Sequence, residues 1–138
     1  MAPVHRQAAV IPYRIRRDRV EVALVTRCSG KGWIVPKGSI DEGEAPRDAA
    51  IREAEEEAGL VGVVRRKPLG QYTHVNASGQ CRVDVYLMRV TSVLQHWPED
   101  RLRQRRWMKV GDATACLQDE LRPLVDAIER LVRRNSLR

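Results

Sequence analysis

Three glutamates define the chemistry this chain must explain. Glu53, Glu56 and Glu57 stand at i, i+3 and i+4, so on a helix their carboxylates share one face. Like charges this close repel, and a helix gains nothing locally from the arrangement. A bound cation or a neighbouring arginine offsets such repulsion. Carboxylate oxygens are hard ligands suited to Mg²⁺ or Mn²⁺, and Mg²⁺ commonly joins one or two carboxylates to the phosphates of a substrate. Glu55 falls on the far side of the same helix and reads as solvated. Taken alone, the cluster also fits a Glu-rich surface helix, so its surroundings decide.

The element that must carry these carboxylates is legible. From Ala45 the pattern turns helical: Pro46 suits the first turn, Asp48 complements the dipole, and Gly59 suits a C-terminal stop. Ala50, Ile51, Ala54 and Ala58 make a narrow apolar stripe, small enough to pack closely on a sheet. Ahead of the helix, Pro36-Lys37-Gly38 breaks the pattern and opens a loop that runs to Gly43.

Loop and helix together resemble the Nudix box. Gly38 is followed after five residues by Glu44, and after seven more by Arg52-Glu53-Ala54-Glu55-Glu56-Glu57-Ala58-Gly59-Leu60. Seven identities at average residue usage arise by chance on the order of once in 10⁸ windows, so the motif is specific. The resemblance implies an α/β fold, a Nudix α/β/α sandwich with a mixed sheet, one catalytic loop-helix and a C-terminal helix. It implies a hydrolase that cuts phosphoanhydride bonds with Mg²⁺ or Mn²⁺. Glu53, Glu56 and Glu57 would be metal ligands, with the main-chain carbonyl of Lys37 as a fourth. Arg52 would orient carboxylates and Glu44 would anchor the loop against the helix. The base that activates water would be Glu57 or Glu53, or a glutamate outside the box, Glu99 or Glu120.

Beyond the box, Arg6-Gln7-Ala8-Ala9, Trp33-Ile34-Val35-Pro36, the stretch Val90–Trp97 and Arg105-Arg106-Trp107-Met108 look like the diphosphoinositol polyphosphate phosphohydrolases. That branch also hydrolyses dinucleoside polyphosphates. Matching its phosphate-binding positions implies Arg6, Arg82, Arg103 and Arg105 as substrate contacts, with Lys37 and Gly38 in the phosphate-cradling loop. Pro36-Lys37-Gly38-Ser39 departs from the branch and is closer to the form of diadenosine tetraphosphate hydrolases, and Gln104 stands where the branch has a lysine. Inositol and nucleotide polyphosphates both remain open. Two other functions are weighed: a pyrophosphohydrolase of RNA 5′ ends, motivated by the arginines at 101–106, and a silent domain that binds nucleic acid. The intact glutamates argue against the silent domain.

Charge supports a polyanionic small molecule. Residues 41–57 hold eight acids against Arg47 and Arg52, a net −6 in a chain of net +7, which leaves +13 for the remainder. An acidic patch in a basic surround suits a cation and a polyphosphate; nucleic acid fits only the basic part.

The remaining elements must place these groups. Ala8–Ile15 and Val20–Thr26 read as a hairpin turning at Arg16–Arg19, and Trp33–Val35 as a short strand. Val61–Val64, Leu69–His74, Val83–Val90 and Arg106–Val110 read as further strands, with a turn at Asn76-Ala77-Ser78-Gly79. Leu121, Leu124, Val125, Ile128, Leu131 and Val132 recur at helical spacing, so one amphipathic helix is expected to close the chain, its arginines 130, 133, 134 and 138 solvated. At 138 residues the expectation is a single domain spanning 1–138, with a core built from aliphatic residues because Phe is absent. Trp33, Trp97, Tyr72 and Tyr86 read as core or pocket wall, and His5, His74 and His96 lack ligand spacing.

Cys28, Cys81 and Cys116 show no CxxC spacing and are expected to be reduced, partly buried core residues. No apolar run approaches the roughly 20 residues of a membrane-spanning helix. The start, from Met1, lacks a secretory leader pattern, so a cytoplasmic protein is expected, with no membrane association.

Overall fold

The computed structural model describes residues 4–77 and 79–136. Its centre is a long strand, β1 (Val4–Arg16), which pairs antiparallel with β2 (Arg19–Thr26) and β4 (Lys37–Ser39) and parallel with β7 (Gly79–Val93). β3 (Trp33–Ile34) and β8 (Arg105–Lys109) pair with β2, while β5 (Leu60–Val64) and β6 (Gly70–Asn76) pair with β7. The sheet is therefore mixed, and eight strands share it. Arg17 and Asp18, both at positive φ, form the two-residue turn between β1 and β2, the geometry that matches the twist of a hairpin.

Alternation along the strands builds two cores. Ala8 and Val10 of β1, Ala23 and Val25 of β2, and Tyr86 and Met88 of β7 face α1 (Pro46–Ala58), where Ala49, Ala50, Ala54 and Ala58 let the helix lie close. Ala9, Ile11, Val22, Leu24, Val83, Val85 and Leu87 face the other layer, made by α2 (Val110–Cys116), α3 (Arg122–Asp126) and α4 (Ile128–Ser136). The mixed sheet between helical layers matches the expected α/β/α sandwich.

Several local expectations are corrected. The stretch expected to be loop from Pro36 to Gly43 contains β4, because the free edge of β1 takes up its main chain despite a Lys-Gly-Ser sequence without strand character. Helix α2 was not foreseen, and it takes Val110 from the expected last strand. The closing helix is two segments meeting at Ala127, yet Leu121, Val125, Ile128 and Val132 keep one buried stripe across the join, which is why they read as one helix. Only Cys81 is buried; Cys28 and Cys116 are exposed. Tyr72 and Tyr86 are buried as expected, and Glu55 is exposed. Ser78 of the expected turn, Arg138 of the expected solvated face and Met1 to Pro3 lie outside the described residues. No described helix is long and apolar enough to cross a membrane.

Candidate active site on the carboxylate helix

The site begins with the way α1 ends. Gly59 takes a left-handed conformation, φ 63°, and its N–H donates to the carbonyls of Ala54 and Glu55. The last carbonyls of a helix lack intrahelical partners. Here the segment between β7 and β8 supplies them: Glu99 N–H donates to Glu56 O (3.0 Å), Trp97 Nε1 to Glu57 O (2.9 Å), Arg105 Nη1 to Ala58 O (2.7 Å) and Leu94 N–H to Gly59 O (2.9 Å). A distant stretch of chain is thereby fixed to the carboxylate helix.

Glu53 and Glu57 are buried, whereas Glu56 is half-exposed. Arg52 gathers the carboxylates. It donates to both oxygens of Glu44 (2.8 and 3.0 Å), to Glu53 Oε1 (2.7 Å) and to the carbonyl of Ser39 (3.0 Å), and it lies 3.6 Å from Glu56. Glu44 also accepts the N–H of Asp41 (3.0 Å), which ties the loop to the helix. The Arg52 bond, then the Asp41 amide, pull the Glu44 carboxyl down to about 2. Glu53 moves the other way, because burial outweighs its bond to Arg52. Glu57 is pushed up to about 7: burial dominates, Glu53 and Glu99 add repulsion, and the Lys37 amide and Arg103 only partly offset them.

Strand β4 closes the site from the sheet. Val10 N–H bonds Pro36 O and Ile40 N–H bonds Arg6 O, so Lys37 falls at a non-hydrogen-bonded pair and its N–H and C=O both point away from β1. Its N–H lands on Glu57 Oε1 at 2.8 Å, and its carbonyl leaves on the same side. The Lys37 side chain goes to the opposite face of the sheet. There it lines a cavity with Arg27, Trp33, Tyr72, Leu117 and Gln118. Burial, then Arg27, lower the proton affinity of Lys37. A half-buried ammonium beside a guanidinium is a place for an anion.

The expected phosphate contacts separate into two groups. Arg6 and Arg82 are register partners on β1 and β7, on the face that α1 covers, and a chain of bonds runs from Arg82 to Gln71 (3.0 Å), Gln71 to Asp84 (2.6 Å) and Asp84 to Arg6 (3.5 Å). Both are exposed and free to turn outward. Arg103 and Arg105 are not presented in this way. Arg105 is spent on the carbonyls of Ala58, Gly59 and Leu94 and stacks on Trp97 at 4.2 Å, so the expectation that it binds phosphate gives way to a bracing role at the end of α1. Arg103 is half-buried and bonded to Glu57 Oε2 (3.1 Å), Glu99 Oε1 (2.8 Å) and Thr26 O (2.9 Å), which puts it among the carboxylates.

Of the two outside glutamates, Glu99 shares a guanidinium with Glu57, while Glu120 is exposed beside α3 and acts electrostatically on Tyr72 in the other layer. Arg27 and Gln118 of the cavity carried no signal in the sequence, since neither belongs to a motif or a periodic pattern. Among the described residues no group of three His, Cys, Asp or Glu side chains stands ready to hold a metal ion. Arg52 is paired with Glu53, and Arg103 with Glu57.

Comparisons agree with this construction. A model of the NUDIX domain matches residues 4–128. The chain is 36% identical over 136 residues to Nudix hydrolase 18, mitochondrial, of Arabidopsis thaliana, covering 92% of this chain and 76% of that one. It is 39% identical over 117 residues to the human diphosphoinositol polyphosphate phosphohydrolase 3-alpha, covering 82% and 69%. Against the first three plant relatives it spans 76%, 61% and 57% of their length. A crystal structure of C. elegans Ap4A hydrolase in a binary complex superposes with a TM-score of 0.81 at 21% identity, covering 94% of this chain and 98% of that one, a likeness of fold. The chain belongs to the Nudix hydrolase family, whose members cleave phosphoanhydride bonds.

Proposed function

We propose that this chain hydrolyses a phosphoanhydride bond in a small polyphosphorylated molecule, a diphosphoinositol polyphosphate or a dinucleoside polyphosphate, with Mg²⁺ or Mn²⁺. The observation that carries the proposal is the double placement of Lys37: its main chain meets Glu57, and its side chain sits in a basic cavity with Arg27. Carboxylates that need a cation and a pocket that needs an anion thus share one residue.

The residues fit a divalent cation. The main chain at Gly38 lies so close to Glu53 that any β-carbon would collide with its carboxyl, and Glu57 already attracts the cationic group of Arg103. Glu53, Glu56, Glu57 and the Lys37 carbonyl form a donor set of hard oxygens, and these would hold the ion. When bound, it supplies charge neutralisation and Lewis-acid polarisation at the phosphates beside the scissile bond.

The chain's own groups do the rest. A water oxygen forms the new bond to phosphorus while the bridging P–O bond breaks, and the leaving phosphate departs with the electron pair. The water's proton passes to a carboxylate. Glu57, whose two oxygens meet the Lys37 amide and Arg103, is the candidate; Glu53 is the alternative, and Glu99, which shares Arg103 with Glu57, is the outside carboxylate nearest to the site in bonding terms. Arg52 holds Glu53 and Glu44 in place. Lys37 and Arg27 would hold phosphates on one side of β4, and Arg6 and Arg82 those farther from the scissile bond.

The nucleotide reading draws support from Trp33 and Tyr72 in the cavity wall, the inositol reading from the 39% identical relatives. A cytosolic location and a small-molecule partner belong to the same proposal. A panel of diphosphoinositol phosphates, dinucleoside polyphosphates, nucleoside triphosphates and 5′-triphosphate RNA, assayed with Mg²⁺ and Mn²⁺ and with products identified, tests it. Turnover of either polyphosphate class above the triphosphate and RNA is the expected result; preference for long RNA would overturn it.

A further inference from the structure

Arg103 occupies a position that its sequence neighbours do not explain. Its side chain is only 9% exposed, and its three guanidinium nitrogens each have an acceptor: Nε on Glu99, Nη1 on the Thr26 carbonyl and Nη2 on Glu57. Burial by itself would lower its proton affinity, but the bonds to Glu99 and Glu57 more than restore it. Buried charges are tolerated when they are paired and fully bonded. Here one cation serves two carboxylates.

The two oxygens of Glu57 are held differently. Oε1 takes the N–H of Lys37, a donor fixed in the β4 main chain. Oε2 takes the Nη2 tip of the Arg103 side chain. Arg103 also has a second carboxylate, Glu99, which is tied to the end of α1 by its own N–H on the Glu56 carbonyl. A guanidinium released from Glu57 would therefore still be held by Glu99.

Resting on the cation reading of the site, we propose that Arg103 is a positioning residue that stands in for the divalent cation at Glu57 and yields the carboxylate when the cation binds. It keeps Glu53, Glu57 and Glu99 from repelling one another in the cation-free protein. It also lowers cation affinity below that of the bare carboxylates, since binding must first break the Arg103–Glu57 pair and then tolerate a nearby positive charge.

The test is a Mn²⁺ titration without substrate, following the free Mn²⁺ signal by electron paramagnetic resonance, with thermal unfolding measured with and without Mn²⁺. Arg103→Leu removes the charge and keeps bulk. It should bind Mn²⁺ about tenfold tighter than wild type or better, and unfold at a lower temperature when no Mn²⁺ is present. Arg103→Lys keeps a cation that cannot span both carboxylates, so its affinity should fall between wild type and the Leu variant. If Arg103→Leu folds only with Mn²⁺, that dependence supports the proposal; if it never folds, the Lys variant decides by the same criterion. Equal or weaker Mn²⁺ binding in the folded variants, with wild type binding normally, would overturn the role given to Arg103. A wild-type protein that binds no Mn²⁺ would instead sink the cation reading, and this inference with it.

Discussion

Gly38 and Glu53 meet so closely that a β-carbon on Gly38 would overlap the Glu53 carboxyl. The requirement is close approach, not unusual backbone conformation. Gly38→Ala should push Glu53 away from Arg52 and from the cation site. We expect turnover to fall at least about tenfold, with a smaller effect on stability because the group displaced is the end of a flexible side chain. Steady-state rates and a thermal melt check this. Wild-type kinetics in the variant would show that Glu53 need not sit where it does.

Glu56→Gln and Glu57→Gln each remove a charged oxygen donor while keeping shape. Turnover should drop on the order of 10²-fold or more. The two should differ in stability. Glu56 is half-exposed, so its loss is mild, whereas Glu57→Gln removes a charge that burial disfavours while keeping an oxygen for Arg103, so the cation-free melting temperature should hold or rise. Near-wild-type activity of either variant at saturating Mg²⁺ would remove that residue from the cation site.

The box was readable because its chemistry lies in fixed spacings: Glu53, Glu56 and Glu57 share a face in any helix, and Gly59 ends that helix as its type suggests. The strands were readable as apolar runs bounded by turns, but a single core was expected; there are two, because β1, β2 and β7 are apolar on both faces. What escaped was set by tertiary contact. Strand β4 forms because β1 offers it an edge, and no pattern in Lys37-Gly38-Ser39 announces that. Arg103 and Arg105 were expected on phosphate because they match phosphate-binding positions of the diphosphoinositol polyphosphate phosphohydrolases, which a sequence match alone carries over. Their half-buried places are set by contacts distant in the chain, Arg103 with Thr26 and Glu57 and Arg105 with Ala58 and Trp97.

Acidity acts on Glu57 in a definite direction. Its carboxyl is raised in the folded protein, from about 4.5 to about 7, so the cation-free fold holds the proton more tightly than the unfolded chain does. That contribution to stability is full below the ordinary carboxylate range and is lost as pH rises through about 7. Cation binding and turnover should run the other way, strengthening through neutrality toward an alkaline optimum, because proton and cation compete for one carboxylate. Melts of cation-free protein and Mn²⁺ titrations at matched pH check both slopes. A rate that climbed steadily as pH fell below about 6 would contradict the role of Glu57.

Arg82 tests the basic surround. Replacing it with Ala should cost about 1–3 kcal/mol of binding for a charge-assisted bond to a distal phosphate. The loss should grow with phosphate number, so a dinucleoside hexaphosphate suffers more than a nucleoside triphosphate. Ratios of kcat/KM for the two substrates check this. An equal loss on both would mean that Arg82 serves the Gln71–Asp84 chain and not the substrate.

Cleavage in ¹⁸O-labelled water tests the central claim most directly. With a diphosphoinositol or dinucleoside polyphosphate as substrate and products followed by ³¹P nuclear magnetic resonance, one phosphate product should carry a single ¹⁸O. This should occur with Mg²⁺ or Mn²⁺ and stop with a chelator. Label entering at the same rate in the chelated sample, or no cleavage of either substrate class with both cations present, would contradict the account.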